Sequence, residues 1–300
     1  MFRRPMQTPR VRRDDRAMPH LITPIELQSA RESSRPVRLL DVRWRLDAPE
    51  GRPEYVEGHL PAAVYVDLER ELARPGYPEE GRYPLPTIDD LERSIRRWGI
   101  SDGDLVVAYD DNHSVAAARV WWLLRRRGVD IRVLDGGIRA WARSGYVLER
   151  GDHAPAPGSG SLRDADLGIA TIDDAARAHV DGYLVDVRAP EHYRGLAGTL
   201  DPVAGHIPGA LNIPVVTHIA RDGALTSPDE IRASLAARGV DPRLPITLYC
   251  GAGISSAHTA LALTQIGVEA AIFTGSWSQW ARSNRSVAVG PTPSDLLAHA

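Results

Sequence analysis

A chain of 300 residues is long for one domain and comfortable for two of about 120–150 residues each. Its 43% hydrophobic and 25% charged content is globular, and a formal net charge of −3 lies too near zero to draw in nucleic acid. One cysteine excludes an internal disulfide framework and a clustered thiolate metal site; all 36 basic residues are arginine, which excludes a Schiff-base lysine and a Walker-type phosphate loop.

Met1 to Met18 is Arg-rich with no apolar stretch behind it, so residues 1–19 read as a disordered arm rather than a secretory signal. No apolar run approaches the roughly 20 residues that span a bilayer, so no membrane association is expected and the cytoplasm is the expected compartment. A first domain is placed at 20–150. Within it Val37–Val42, Leu105–Tyr109 and Ile131–Leu134 have the length and residue types of buried parallel strands. Helical segments alternate with them: Leu91–Trp98 spaces apolar residues at 91, 95 and 98, and Ala116–Arg126 carries a broad apolar face. The stretch GDHAPAPGSGS at 151–161 predicts a flexible linker. A second domain follows at 162–290, with helix starts at Thr171–Asp174 and Thr226–Glu230, a helix over Ala257–Gln265, and a tail at 291–300. Strands alternating with helices imply an α/β fold, each domain a parallel sheet flanked by helices.

The two domains repeat each other. Leu39-Leu40-Asp41-Val42-Arg43 returns as Leu184-Val185-Asp186-Val187-Arg188, and Gly58-His59-Leu60-Pro61 returns as Gly205-His206-Ile207-Pro208. The run Leu105 to Tyr109, followed by Asp110, returns as Ile246 to Tyr249, followed by Cys250. Gly136 to Trp141 returns as Gly275 to Trp280. Four pairs in one order point to a duplication.

Cys250 ends a predicted strand, at the sheet edge where open α/β sheets bind ligands. The loop after it, Gly251-Ala252-Gly253-Ile254-Ser255-Ser256, lets glycines turn successive N–H groups inward and then opens a helix. Inward amides and a positive helix end predict a lowered thiol pKa and a cradle for a persulfide anion. The bland alternative is an inert buried thiol. At the equivalent place the first copy carries Asp110, which cannot hold sulfane sulfur, so chemistry is expected in the second domain.

These residues resemble the tandem-domain rhodanese family, which includes thiosulfate and 3-mercaptopyruvate sulfurtransferases. The resemblance runs from about 21 to 282 and rests on the repeated motifs above, Arg119-Val120-Trp121-Trp122, Asp135-Gly136-Gly137, the Cys250 loop and Gly275-Ser276-Trp277. It implies two tandem rhodanese-like domains and a persulfide on Cys250. It also implies a small anionic sulfur donor, a thiol or cyanide acceptor, and no metal or organic cofactor. The loop resembles the mercaptopyruvate subtype, whose pattern is Cys-Gly-Ser-Gly-Val-Thr, but Ala252 replaces the serine and its hydroxyl. Where the family has a substrate-gripping arginine this chain has His192, and Leu196 to Ala204 contains no second one. Arg194 is then the nearest cation, read either as a substrate ligand or as a solvated surface residue. His59 resembles a family histidine that reaches the domain cleft, with Glu50 near the place of its acidic partner; the alternative reading has His59 orient its own turn, the role expected of His206 in the second copy. Trp277 and Trp280 read as core and cleft wall.

Three functions are compatible with this pattern. The first is sulfur transfer through Cys250. The second is a non-catalytic, sulfur-responsive or scaffolding module. The third is a cysteine phosphatase, which needs Cys-x5-Arg; the matching position here is Ser256.

Overall fold

The computed structural model describes residues 19–198 and 200–293. The arm expected over 1–18 and the end of the tail, 294–300, lie outside the described residues. In the first half, β1 (Leu21–Ile22), β2 (Val37–Asp41), β3 (Ala63–Tyr65), β4 (Leu105–Tyr109) and β5 (Asp130–Leu134) pair in the order β1-β5-β4-β2-β3. In the second, β6 (Ile169–Ala170), β7 (Tyr183–Asp186), β8 (Leu211–Asn212), β9 (Ile246–Tyr249) and β10 (Ala271–Phe273) pair as β6-β10-β9-β7-β8. The two orders match position for position, and every pairing is parallel. Register matches too: Asp41 sits opposite Tyr109 in one sheet and Asp186 opposite Tyr249 in the other. The repeat in sequence is therefore a repeat in three dimensions.

Alternation along the central strands decides what faces what. On β4, Leu105, Val107 and Tyr109 enter one apolar cluster, while Val106 and Ala108 enter another. On β9, Tyr249 enters a cluster confined to the second half, while Ile246, Leu248 and then Cys250 enter the cluster that Val106 and Ala108 share. That cluster is continuous between the halves, through the Ala117–Arg125 and Ser255–Thr264 helices. A two-residue period thus points the Cys250 side chain toward the other half.

The expected helices are present, the Leu91–Trp98 segment as Ile88–Arg97 and the Ala257–Gln265 segment as Ser255–Thr264. Thr171 and Ser227 cap the Ile172–Asp181 and Pro228–Ala236 helices through capping boxes with Asp174 and Glu230. The Ala117–Arg125 and Ser255–Thr264 helices have no side chain on their N-cap residues to do so. Their first-turn amides need another acceptor.

The segment 151–161 is not the loose tether its composition suggests. Gly158 N–H donates to the Arg96 carbonyl, Gly160 N–H to the Ile100 carbonyl and Ser161 N–H to Asp102. The glycines serve close backbone approach rather than freedom, so the stretch is strapped along the first half. Among the described residues no helix is long and apolar enough to cross a membrane.

Candidate active site

Cys250 follows β9 directly and is almost fully buried. Its Sγ accepts the Gly253 N–H at 3.1 Å. Gly253 makes that possible with φ +77°, and a Cβ there would lie 2.4 Å from the Thr274 carbonyl oxygen. Two hydroxyls stand near the sulfur, Ser256 Oγ at 3.8 Å and Ser276 Oγ at 4.0 Å. Ser276 already donates its one proton to the Phe273 carbonyl and accepts the Cys250 N–H. Ser256 is therefore the hydroxyl with a proton for the sulfur.

The first half shows what such a loop binds. Asp110, at the place of Cys250, accepts four backbone N–H groups, from Asn112, Ser114, Ala116 and Ala117, at 2.8–2.9 Å. Its carboxylate caps a helix that has no cap of its own. Burial pushes the Asp110 pKa up, while the Ala117, Asn112 and Ser114 amides hold it down. In the second half a sulfur stands at that capping position, and a negative charge on it is what the Ser255–Thr264 helix end and the Gly253 amide favour.

A cavity of about 420 Å³ opens above Cys250 between the halves. The second half contributes Cys250, Gly251, Ala252, Ile254, Ser255, His192 and Trp277, all expected from sequence. Gly253 and Ser256 flank the sulfur from the loop side. The structure thus brings together the cysteine, its loop, His192 and Trp277. It does not bring in Arg194, Glu50 or His59. Arg194 is exposed and outside the cavity lining, its carbonyl accepting the Gly290 N–H. Glu50 is exposed and caps the Arg52 amide. His59 is fully buried elsewhere, its Nδ1 2.8 Å from the Tyr55 carbonyl and its ring stacked on Tyr55. His206 repeats this on Tyr193, with Nδ1 2.8 Å from that carbonyl and the rings 3.7 Å apart. Both histidines orient the same turn.

The first half supplies what the sequence did not reveal. Trp44, Arg82, Tyr83, Asn112 and His113 line the cavity opposite the cysteine. Arg119, fully buried, reaches across so that Nη1 donates to the Gly253 carbonyl at 3.0 Å and Nη2 to the Tyr83 carbonyl at 3.2 Å. Burial lowers its pKa to about 10, opposed by the Cys250 side chain, so it stays a cation at neutral pH. Arg188 lies over the Trp277 ring at 4.7 Å and forks onto Asp186. Burial would lower its pKa, but the Asp186 carboxylate more than offsets this and holds it above the usual arginine range. Arg119 lay in the motif Arg119-Val120-Trp121-Trp122 and Arg188, from the second half, in the repeated Leu184-Val185-Asp186-Val187-Arg188, but nothing local marked Arg82.

The Rhodanese-like domain model matches residues 23–144 and again 171–283. The chain is 42% identical over 264 residues, 87% of its own length and 93% of the relative, to a Mycobacterium tuberculosis protein named "Putative thiosulfate sulfurtransferase SseB". It is 36% identical over 274 residues, 87% and 95% of the two chains, to the "Probable 3-mercaptopyruvate sulfurtransferase" of Pseudomonas aeruginosa. Among solved structures it resembles that of SseA from Escherichia coli, a 3-mercaptopyruvate sulfotransferase of rhodanese fold by its title. The TM-score is 0.77 at 27% identity, covering 86% of this chain and 99% of that one.

Proposed function

From the premise that this chain belongs to the rhodanese family of tandem-domain sulfurtransferases, we propose that it carries sulfur as a persulfide on Cys250. The Cys250 thiolate attacks the outer sulfur of thiosulfate, or the sulfur of 3-mercaptopyruvate. One S–S bond forms at the enzyme, and the donor's S–S or C–S bond breaks. Sulfite leaves with the bonding pair in the first case; in the second the carbon keeps the pair and takes a proton to give pyruvate. A cyanide or thiolate acceptor then attacks the terminal sulfur and returns Cys250 as the thiolate.

The observation that carries this reading is one sulfur atom at the base of a cavity between the halves, held by the Gly253 amide at the position where Asp110 binds four amides in the other half. The loop favours an anion at that atom in each of its states, thiolate and persulfide. Phosphoryl transfer is not favoured, because Ser256 stands where a phosphate-clamping arginine is needed and is fully buried against the sulfur. A single free cysteine that must cycle through a thiolate fits a reducing compartment, and we assign the protein to the cytoplasm, acting without nucleic acid or membrane.

Intact-protein mass spectrometry tests the proposal. Incubation with thiosulfate or with 3-mercaptopyruvate should add one sulfur, about 32 Da, which cyanide removes and which Cys250→Ser never acquires. No adduct from either donor would overturn it, and comparing the two assigns the donor.

A further inference from the structure

We infer that Arg82, contributed by the first half, is the cation that receives the anionic end of the sulfur donor above Cys250. The inference rests on the sulfur-transfer reading and adds the donor-binding group that His192 and the segment Leu196 to Ala204 do not supply.

Two arginines line the cavity, Arg82 and Arg188. Arg188 is committed to Asp186 and to the Gly205 carbonyl. Arg43 makes the same fork onto Asp41 and the Gly58 carbonyl in the half that has no cysteine. That arrangement belongs to the fold, so it does not by itself mark a donor site. Arg82 has no counterpart of this kind. Its Nη2 lies so near the residue after the cysteine that a Cβ on Gly251 would be 3.2 Å from it.

The side chain is also held in place. Asp201 Oδ1 accepts from Arg82 Nη1 at 2.5 Å and from Arg282 Nη1 at 2.6 Å. Among these three groups positive charge exceeds negative by one, so the carboxylate positions Arg82 without cancelling the pair. The backbone is fixed as well: Arg82 N–H donates to Ser278 Oγ at 3.1 Å. Gly81, at φ +91°, packs so closely on the loop after β10 that a Cβ would lie 2.7 Å from the Gly275 carbonyl oxygen. A planar fork preset beside the nucleophile suits a carboxylate or a sulfonate-like group equally well. Asp201 thus occupies the segment that was expected to carry an arginine, and draws one in from the opposite domain.

The site's preference for anions can be read without sulfur transfer, because Cys250 is the only cysteine. Iodoacetate and iodoacetamide differ in one carboxylate, and the ratio of their rates of alkylating Cys250 reports the cation above it. Arg82→Met should lower that ratio about 10-fold or more and raise KM for the donor about 10- to 100-fold, with a smaller change in kcat. Arg82→Lys should fall between, and Asp201→Asn should act in the same direction by releasing the side chain. Urea midpoints and near-UV circular dichroism matching the parent protein certify that each variant keeps the loop folded, and the ratio cancels any change in thiolate population common to both reagents. If Arg82→Met leaves the ratio unchanged, or if His192→Ala lowers it instead, the inference is overturned. A ratio that depends on Arg82 in a protein that never loads sulfur would uphold the anion site and overturn the sulfur-transfer reading alone.

Discussion

Asp110 and Cys250 stand at the same point of the two halves, each the first residue after the central strand of its sheet. One is a carboxylate tied by four amides and the other a thiol tied by one. On the sulfur-transfer reading, the duplication has divided the loop's anion-binding capacity into a structural use and a chemical one. Asp110→Asn tests the structural use. An amide nitrogen in place of one carboxylate oxygen faces two N–H donors it cannot satisfy. Unfolding stability should fall by about 2–4 kcal/mol, while persulfide formation per folded molecule is retained. Urea denaturation paired with mass spectrometry measures both.

Arg119 links the halves at the Cys250 loop, and on the sulfur-transfer reading its effect should appear as rate. Arg119→Met removes the donors to the Gly253 and Tyr83 carbonyls. The Gly253 amide is then less firmly aimed at the sulfur, and misplacements on the order of 1 Å cost about 100-fold. We expect kcat to fall about 10- to 100-fold with KM little changed, which separates this positioning role from the KM effect expected at Arg82. Arg119→Lys keeps the charge but not the fork and should recover only part of the rate. Steady-state kinetics on protein shown to be folded distinguishes these outcomes.

What was legible in the sequence was what repeats or alternates. The strands β2, β4 and β5, the helix starts at Thr171 and near Ser227, and the Cys250 loop all follow from local periodicity and turn chemistry. The fold's duplication followed from motifs in one order. The site was legible only on the side that carries the cysteine. Arg82 sits in a loop with no motif, and its importance comes from Asp201, which is distant in sequence and reached only when the halves pack. Ser276 was seen, as part of Gly275-Ser276-Trp277, but its bond to the Cys250 amide depends on a left-handed φ of +52° that sequence does not announce.

Acid should destabilise the protein through two buried histidines. Burial depresses His258 to about 3 and His218 to about 4, and both side chains are fully enclosed. His218 and His113, facing His258, add to its depression. In the unfolded chain each titrates near 6.5. The unfolded state therefore binds more protons between about pH 6.5 and 4, so the stability is present above that window and is lost as pH falls through it. Each group removes up to about 1.4 kcal/mol per pH unit. Denaturant midpoints should be flat near pH 7–8 and fall steeply toward pH 5, and His258→Leu should flatten the profile.

His59 and His206 give the last expectation. Each is fully buried, places Nδ1 2.8 Å from a tyrosine carbonyl four or thirteen residues earlier, and stacks on that tyrosine's ring. A histidine that served the donor would have no reason to be duplicated in a second copy whose turn also lies outside the cavity lining. His59→Gln and His206→Gln should therefore cost similar stability, about 1–3 kcal/mol for a buried hydrogen bond and its stacking. Neither should change kcat/KM for the donor by more than about threefold, a difference below 1 kcal/mol. A large loss confined to His59→Gln, with stability intact, would mean that the side chain reaches the cavity during turnover.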